Sequence, residues 1–131
     1  NLVQDKYDIY VRLRHDIIFK NKVDFPELCS QILDKKTDLI ISKEHEFKEG
    51  DNVCTDYLAI GNYKSMSYYS AMSNSLLKLI NHYNSFKSET LLFNYLKNNK
   101  NINFSKTFIE HYLVRRSFAN TTPSMKNFSD E

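Results

Sequence analysis

Apolar residues recur every three or four positions along much of the chain, which is the pattern of helices that bury one face. The longest such stretch covers residues 63–86, and we predict that it forms a helix at the centre of the core. Along it, the residues predicted to face the core are spaced alternately by three and four positions: Met66, Tyr69, Ser73, Leu76, Ile80 and Tyr83.

Shorter helices are predicted on both sides of this stretch. Over residues 24–36, Asp24 can cap the first turn, Pro26 loses no needed hydrogen bond there, and Glu27 can close a capping box. A helix over residues 53–60 would end at Gly61, because glycine commonly follows the last helical residue. Another helix would start at Ser85 or Ser88 and end before a polar loop at 98–103. Four of its residues would face the core: Leu91, Leu92, Tyr95 and Leu96.

The last predicted helix covers Phe104–Phe118. Ser105 is a suitable N-cap, because its hydroxyl can accept from the free N–H groups of the first turn. The helix would end in the pair Arg115-Arg116, where cations suit the negative end of the helix dipole. Five residues share one face: Phe108, Ile109, Tyr112, Leu113 and Arg116.

Two stretches fit either a helix or a strand. Residues 2–20 contain a helical face and also an alternation of apolar and polar residues, and their length and lack of turn residues favour a helix. The run Leu39-Ile40-Ile41 fits both equally. The predicted fold is therefore mainly α: one domain of five to six helices over residues 1–120, with short strands near 8–14 and 38–42 as the alternative, and a loosely held tail at 121–131.

Composition supports a folded domain and excludes several classes of protein. Of the 131 residues 41% are hydrophobic, which is enough for a core, whereas two Gly and two Pro are too few for a turn-rich β-sandwich or glycine-rich phosphate loops. A net charge of +2 does not indicate a dedicated nucleic-acid binder. Cys29 and Cys54 resemble reduced core residues, and no membrane-spanning run or signal peptide is evident, so we predict a cytoplasmic protein.

Motifs for catalysis or metal binding are missing from the sequence. The four histidines, His15, His45, His82 and His111, show no ligand spacing, and we predict neither a metal site nor a cofactor. Glu110 and His111 would diverge by about 100° on a helix, so a surface pair is favoured over an acid–base pair.

The arginines form the least ordinary feature of the sequence. Arg115 and Arg116, with Tyr112 on the same predicted helix, could hold a phosphate or a partner carboxylate bidentately. Arg12 and Arg14 form a second basic cluster. The alternative is an ordinary structural role. In that case, the aliphatic part of one arginine side chain packs along the core and the other arginine is solvated.

The string I-E-H-Y-L-V-R-R at 109–116, followed by Thr121-Thr122-Pro123 and Phe128, resembles a helical segment of the GmrSD-type modification-dependent restriction endonucleases and their ParB-like relatives. The nucleotide-binding D-G-Q-Q-R-type motif and the His-Asn-His nuclease motif of that family are missing. The resemblance therefore implies a non-catalytic helical connector from a bacterial restriction or phage-defence protein, excised from a longer chain. Its partners would be the other domains of the parent, DNA or a partner protein.

A second function is kept open. A stand-alone helical module from a virus or phage could bind a host protein through a groove between helices. The length of the gene separates the two, because only a connector domain would continue into a nuclease domain. A small-molecule enzyme is a third class, but no motif favours it.

Overall fold

The computed structural model describes residues 6–44, 46 and 52–114, which form a mixed α/β fold. The elements follow one another as β1 (Tyr10–Leu13), β2 (Ile17–Phe19), α1 (Phe25–Leu33), β3 (Leu39–Lys43), β4 (Thr55–Gly61), α2 (Tyr63–Ser70), a 3-10 segment (Ala71–Ser75), α3 (Leu76–Tyr83), α4 (Ser88–Asn98), β5 (Phe104–Phe108) and β6 (His111–Leu113).

The main sheet has four strands in the order β1-β4-β3-β5. Strand β4 runs antiparallel to both of its neighbours, and β5 runs parallel to β3. Strands β2 and β6 form a separate antiparallel ribbon. The carboxyl ends of β1, β3 and β5 therefore lie at the same end of the main sheet.

Strand β3 is buried on both faces of this sheet, and two hydrophobic clusters result. Side chains alternate between the faces of a strand. Leu39 and Ile41 pack into the cluster of α2, α3 and α4, while Ile40 packs into the cluster of α1. A strand covered on both faces reads as a continuous apolar run, which explains why the Leu39–Ile41 pattern did not decide between helix and strand.

The prediction of a mainly α bundle is wrong, and residues 104–118 contribute most to the error. Their apolar spacing fits a helix, but β5 instead pairs along its whole length with β3, from Leu39–Phe104 to Lys43–Phe108. Such pairing joins residues far apart in sequence, which a local periodicity does not detect. Positions 115–118 lie outside the described residues.

Two further helix predictions are also wrong. Within residues 2–20, the described part forms β1 and β2, so the alternation of Val11 and Leu13 with Arg12 was the informative pattern. Residues 53–60 lead into and form most of β4, and Gly61 is the last residue of that strand instead of a helix terminator.

Two local predictions are confirmed, and a third is confirmed in part. Helix α1 has the Asp24 cap, whose carboxylate accepts from the Glu27 N–H at 3.1 Å. The prediction of one continuous helix over residues 63–86 is confirmed only in part. The 3-10 segment separates α2 from α3, Asn84 in the left-handed region ends α3, and Ser73 and Leu76 of the predicted inward stripe are exposed. The four inward residues predicted for α4 are all buried.

The predicted tail, 121–131, lies outside the described residues. None of the helices in the described part of the chain is long and apolar enough to cross a membrane.

Candidate functional site

A cleft of about 330 Å³ opens between the main sheet and the helices packed on one of its faces. Strand β1 contributes Arg12, and α4 contributes Glu89 from its first turn. Asp56 comes from β4 and Tyr69 from α2, and Leu92 adds an apolar wall. Four separate elements therefore place polar groups of both charges around one space.

Arg12 is held in this cleft without a carboxylate partner among the described residues. Its NH1 group donates to the backbone oxygen of Asp56 at 2.7 Å and to the Tyr69 hydroxyl at 3.2 Å, and its guanidinium carbon lies 5.8 Å from the Tyr69 ring centre. Both ion pairs found among the described residues belong to Arg14. The Arg12 guanidinium thus keeps its net charge and a fixed position, which suits it to bind an anionic group.

Tyr69 is the second polar group of the cleft. Burial raises the pKa of its phenol, while the nearby Arg12 acts in the opposite direction. The phenol therefore remains protonated at neutral pH. Because its oxygen accepts the hydrogen bond from Arg12, its own hydrogen can be donated to a ligand.

Arg14, two residues further along the chain, is neutralised by carboxylates. Its Nε and NH2 groups donate to the two oxygens of Asp16 at 2.8 and 2.6 Å, and its NH1 group lies 3.2 Å from a carboxylate oxygen of Asp56. The hydrogen bond with Asp16 raises the pKa of Arg14 and lowers the pKa of the Asp16 carboxyl. Arg14 therefore serves to connect the β1–β2 turn to β4.

Glu89 gives the cleft its acidic side. Its backbone oxygen accepts from the Cys54 N–H at 3.1 Å, which ties the start of α4 to the residue before β4. Its carboxylate accepts from the Ser88 hydroxyl at 3.1 Å and keeps lone pairs for further donors. The cleft can consequently bind a ligand that has both an anionic group and hydrogen-bond donors.

Of the three residues predicted as the main site from the sequence, only Tyr112 is within the described structure. Arg115 and Arg116 lie outside the described residues. Tyr112 is in β6, where its ring centre lies 4.5 Å from the ammonium nitrogen of Lys20, and it does not line the Arg12 cleft. In the part of the chain that the structure describes, no three His, Cys, Asp or Glu side chains are placed to hold a metal ion.

Sequence reasoning identified Arg12 but missed the groups around it. Tyr69 was assigned to the core stripe, and Asp56 was placed in a helix. Glu89 carried no signal at all, because a glutamate in the first turn of a helix is ordinary. Only the pairing of β1 with β4 brings Arg12 beside Asp56.

Comparison of the chain with protein-family models, with curated proteins and with solved structures finds no match. The fold and the cleft define the chain as a mixed α/β domain with a small polar cleft at one end of its sheet.

Proposed function

We propose that this chain is a binding domain that holds a small anionic ligand, with Arg12 as the principal anchor. The observation that supports this function is the position of Arg12. Its guanidinium is fixed by a backbone oxygen and a phenol, yet no carboxylate among the described residues neutralises it. An arginine held in this way has donors directed by its planar geometry toward a phosphate or carboxylate.

The ligand class follows from the size and the other groups of the cleft. About 330 Å³ lies at the lower end of the range for small-molecule sites. Glu89 accepts hydrogen bonds and Tyr69 can donate one. The best fit is a phosphate- or carboxylate-bearing molecule with N–H donors at its other end, and of mononucleotide size at most.

Binding is favoured over catalysis at this cleft. Ser70 and Ser88 line it, but none of the described lining residues is a histidine that could activate a hydroxyl. We therefore assign no reaction to the cleft.

Replacement of Arg12 by glutamine should weaken ligand binding at least about tenfold, because a charge-assisted hydrogen bond contributes roughly 1.5–3 kcal/mol. The measurement is a calorimetric or NMR titration with inorganic phosphate and with guanosine 5′-monophosphate. The nucleotide carries the phosphate for Arg12 and an N–H edge for Glu89, so it should bind more tightly than phosphate alone.

Arg14→Gln is the matched control. It removes an arginine of the same β1 segment, but one that is already paired with Asp16 and Asp56. We expect ligand affinity to fall by no more than a few-fold, because the Asp56 carboxylate that loses its partner is half-exposed and screened by solvent. The free energy of unfolding should fall by about 1 kcal/mol, as for other partly exposed ion pairs. Equal affinity in the wild type and Arg12→Gln, or loss of affinity only in Arg14→Gln, would contradict the proposal.

A place in a restriction or phage-defence protein is a second proposal. Only the residue identities of the string at 109–116 support it, because His111–Leu113 forms strand β6 and not the helix of that family. In a full-length parent, Arg115→Ala combined with Arg116→Ala should weaken subunit assembly or DNA-stimulated cleavage. The matched control is Arg14→Gln in the same parent. Normal cleavage by the arginine double variant would remove any role for the pair, and a gene that stops at Glu131 would favour the stand-alone interaction module.

A further inference from the structure

A second and larger space, a crevice of about 580 Å³, lies between the main sheet and the β2–β6 ribbon. Glu44 lines it just after the end of β3, and Phe108 lines it at the end of β5. The crevice is thus located beyond the carboxyl ends of the two parallel strands, where open α/β sheets commonly bind their ligands. Tyr57 of β4 and His111 of β6 line it side by side, with their rings in contact.

The hydrogen bond that His111 makes determines which of its ring nitrogens can accept a hydrogen bond from a ligand. Its Nδ1 atom lies 2.8 Å from the backbone oxygen of Ile109. A carbonyl oxygen only accepts hydrogen bonds, so Nδ1 must carry the hydrogen, and the neutral ring presents a lone pair at Nε2. The Tyr57 ring, with its centre 4.4 Å from that of the imidazole, restrains the ring. No residue in the described segments hydrogen-bonds to Nε2.

The other groups that line the crevice favour a positively charged ligand that donates hydrogen bonds. Burial and then the nearby Glu44 carboxylate raise the pKa of Tyr57, so the phenol stays neutral. Glu110 accepts from the Asn21 side chain at 2.7 Å through one oxygen, and its other oxygen remains an acceptor. The one lysine of the lining, Lys20, has its ammonium over the ring of Tyr112, 4.5 Å from its centre.

We propose that this crevice is a second binding site, independent of the Arg12 cleft, for a small molecule that carries a protonated primary amine. The ammonium group donates one hydrogen bond to Nε2 of His111. The carboxylates of Glu44 and Glu110 balance its charge. The lone pair of the histidine nitrogen is the acceptor that fixes the position of the amine. The carboxylates alone would not fix this position.

The probe for this site is putrescine, a diamine of four carbons, titrated into the 15N-histidine-labelled chain at about pH 8, where histidine is ordinarily neutral. We expect saturable shifts of the His111 Nε2 signal and of the Tyr57 ring signals. Glycerol and inorganic phosphate are tested in parallel, since they supply a neutral donor and an anion. A response to either of these without a response to putrescine would overturn the proposed ligand class.

Two substitutions at His111 separate binding from folding. In His111→Asn the amide nitrogen can take the place of Nδ1 and keep the hydrogen bond to Ile109, but nothing replaces Nε2. In His111→Gln the side-chain oxygen can take the place of Nε2, while the bond to Ile109 is lost. We expect putrescine affinity to fall at least about tenfold in the asparagine variant and to stay within a few-fold in the glutamine variant.

The control is His82→Ala, which removes an exposed histidine of α3 that does not line the crevice. Its putrescine affinity should equal that of the wild type. If the asparagine variant binds as tightly as the wild type, or if His82→Ala loses binding equally, the assignment of His111 is refuted. Because the Arg12 cleft is tested with phosphate and nucleotide, failure of one site leaves the other test unaffected.

Discussion

Replacement of Gly61 by alanine should lower the free energy of unfolding by about 3 kcal/mol. This value is at the upper end of the typical destabilisation caused by extra atoms in a packed site. A Cβ atom at Gly61 would lie 2.9 Å from the backbone oxygen of Asp38 and closer still to the Ser65 hydroxyl, and 3.1 Å from the Met66 side chain. Asp38 directly precedes β3, and its backbone oxygen accepts from the Ser65 hydroxyl at 2.6 Å. The backbone there therefore cannot move away without disturbing the centre of the sheet.

The measurement is urea-induced unfolding of Gly61→Ala, of Ser65→Ala and of the double variant. Ser65→Ala should cost about 1 kcal/mol, the typical value for one hydrogen bond. Because it also removes the nearest clashing atom, the double variant should be more stable than the sum of the two single effects predicts. A Gly61→Ala protein as stable as the wild type would show that the β4–α2 junction is not tightly packed.

The same glycine illustrates which structural features the sequence could reveal. The sequence pattern predicts that Gly61 ends a helix, because glycine near the end of an apolar segment commonly has that role. Its actual reason is the close approach of β4 to Asp38, a residue 23 positions earlier in the chain. Features that depend on neighbours in sequence, such as the Asp24 cap and the inward residues of α4, were predictable.

The strands were misread for a related reason. The spacing of Phe108, Tyr112 and Leu113 fits one helical face, yet these residues belong to two strands that pair with segments distant in sequence. Strand formation depends on what a segment can pair with, so its sequence preference is weaker than that of a helix. The low glycine content favoured helices, and it outweighed the alternation of Val11 and Leu13 with Arg12, which favoured a strand.

The candidate site was partly predictable in the same sense. The clustering of Arg12 and Arg14 attracted attention in the sequence, but the difference between them comes from the structure. Asp16 and Asp56 neutralise Arg14, whereas the carbonyl of Asp56 and the phenol of Tyr69 hold Arg12. Charge clusters identify candidates, and only the partners of each charge distinguish a structural arginine from one able to bind a ligand.

The pair Tyr68 and Tyr95 joins α2 to α4, and we expect Tyr95→Ala to cost about 4 kcal/mol, as for other buried aromatic residues. The two rings stack with their centres 4.3 Å apart and an angle of 7° between their planes. Each hydroxyl donates to the backbone oxygen of the other residue, at 2.7 Å from Tyr68 and 2.6 Å from Tyr95. Tyr95→Phe keeps the stacking and should cost only about 1 kcal/mol.

The pair should also make the protein sensitive to alkali. Burial, with a smaller contribution from Tyr68, raises the pKa of Tyr95 from 10.0 to about 12. A phenol whose pKa is higher in the folded protein stabilises the fold fully below pH 10, and this contribution is lost as the pH rises through 12. The free energy of unfolding of the wild type should therefore fall more steeply than that of Tyr95→Phe over this range. Parallel curves for the two proteins would mean that the Tyr95 hydroxyl is not held as the structure shows, because a phenol that donates to a backbone carbonyl cannot ionise without losing that bond.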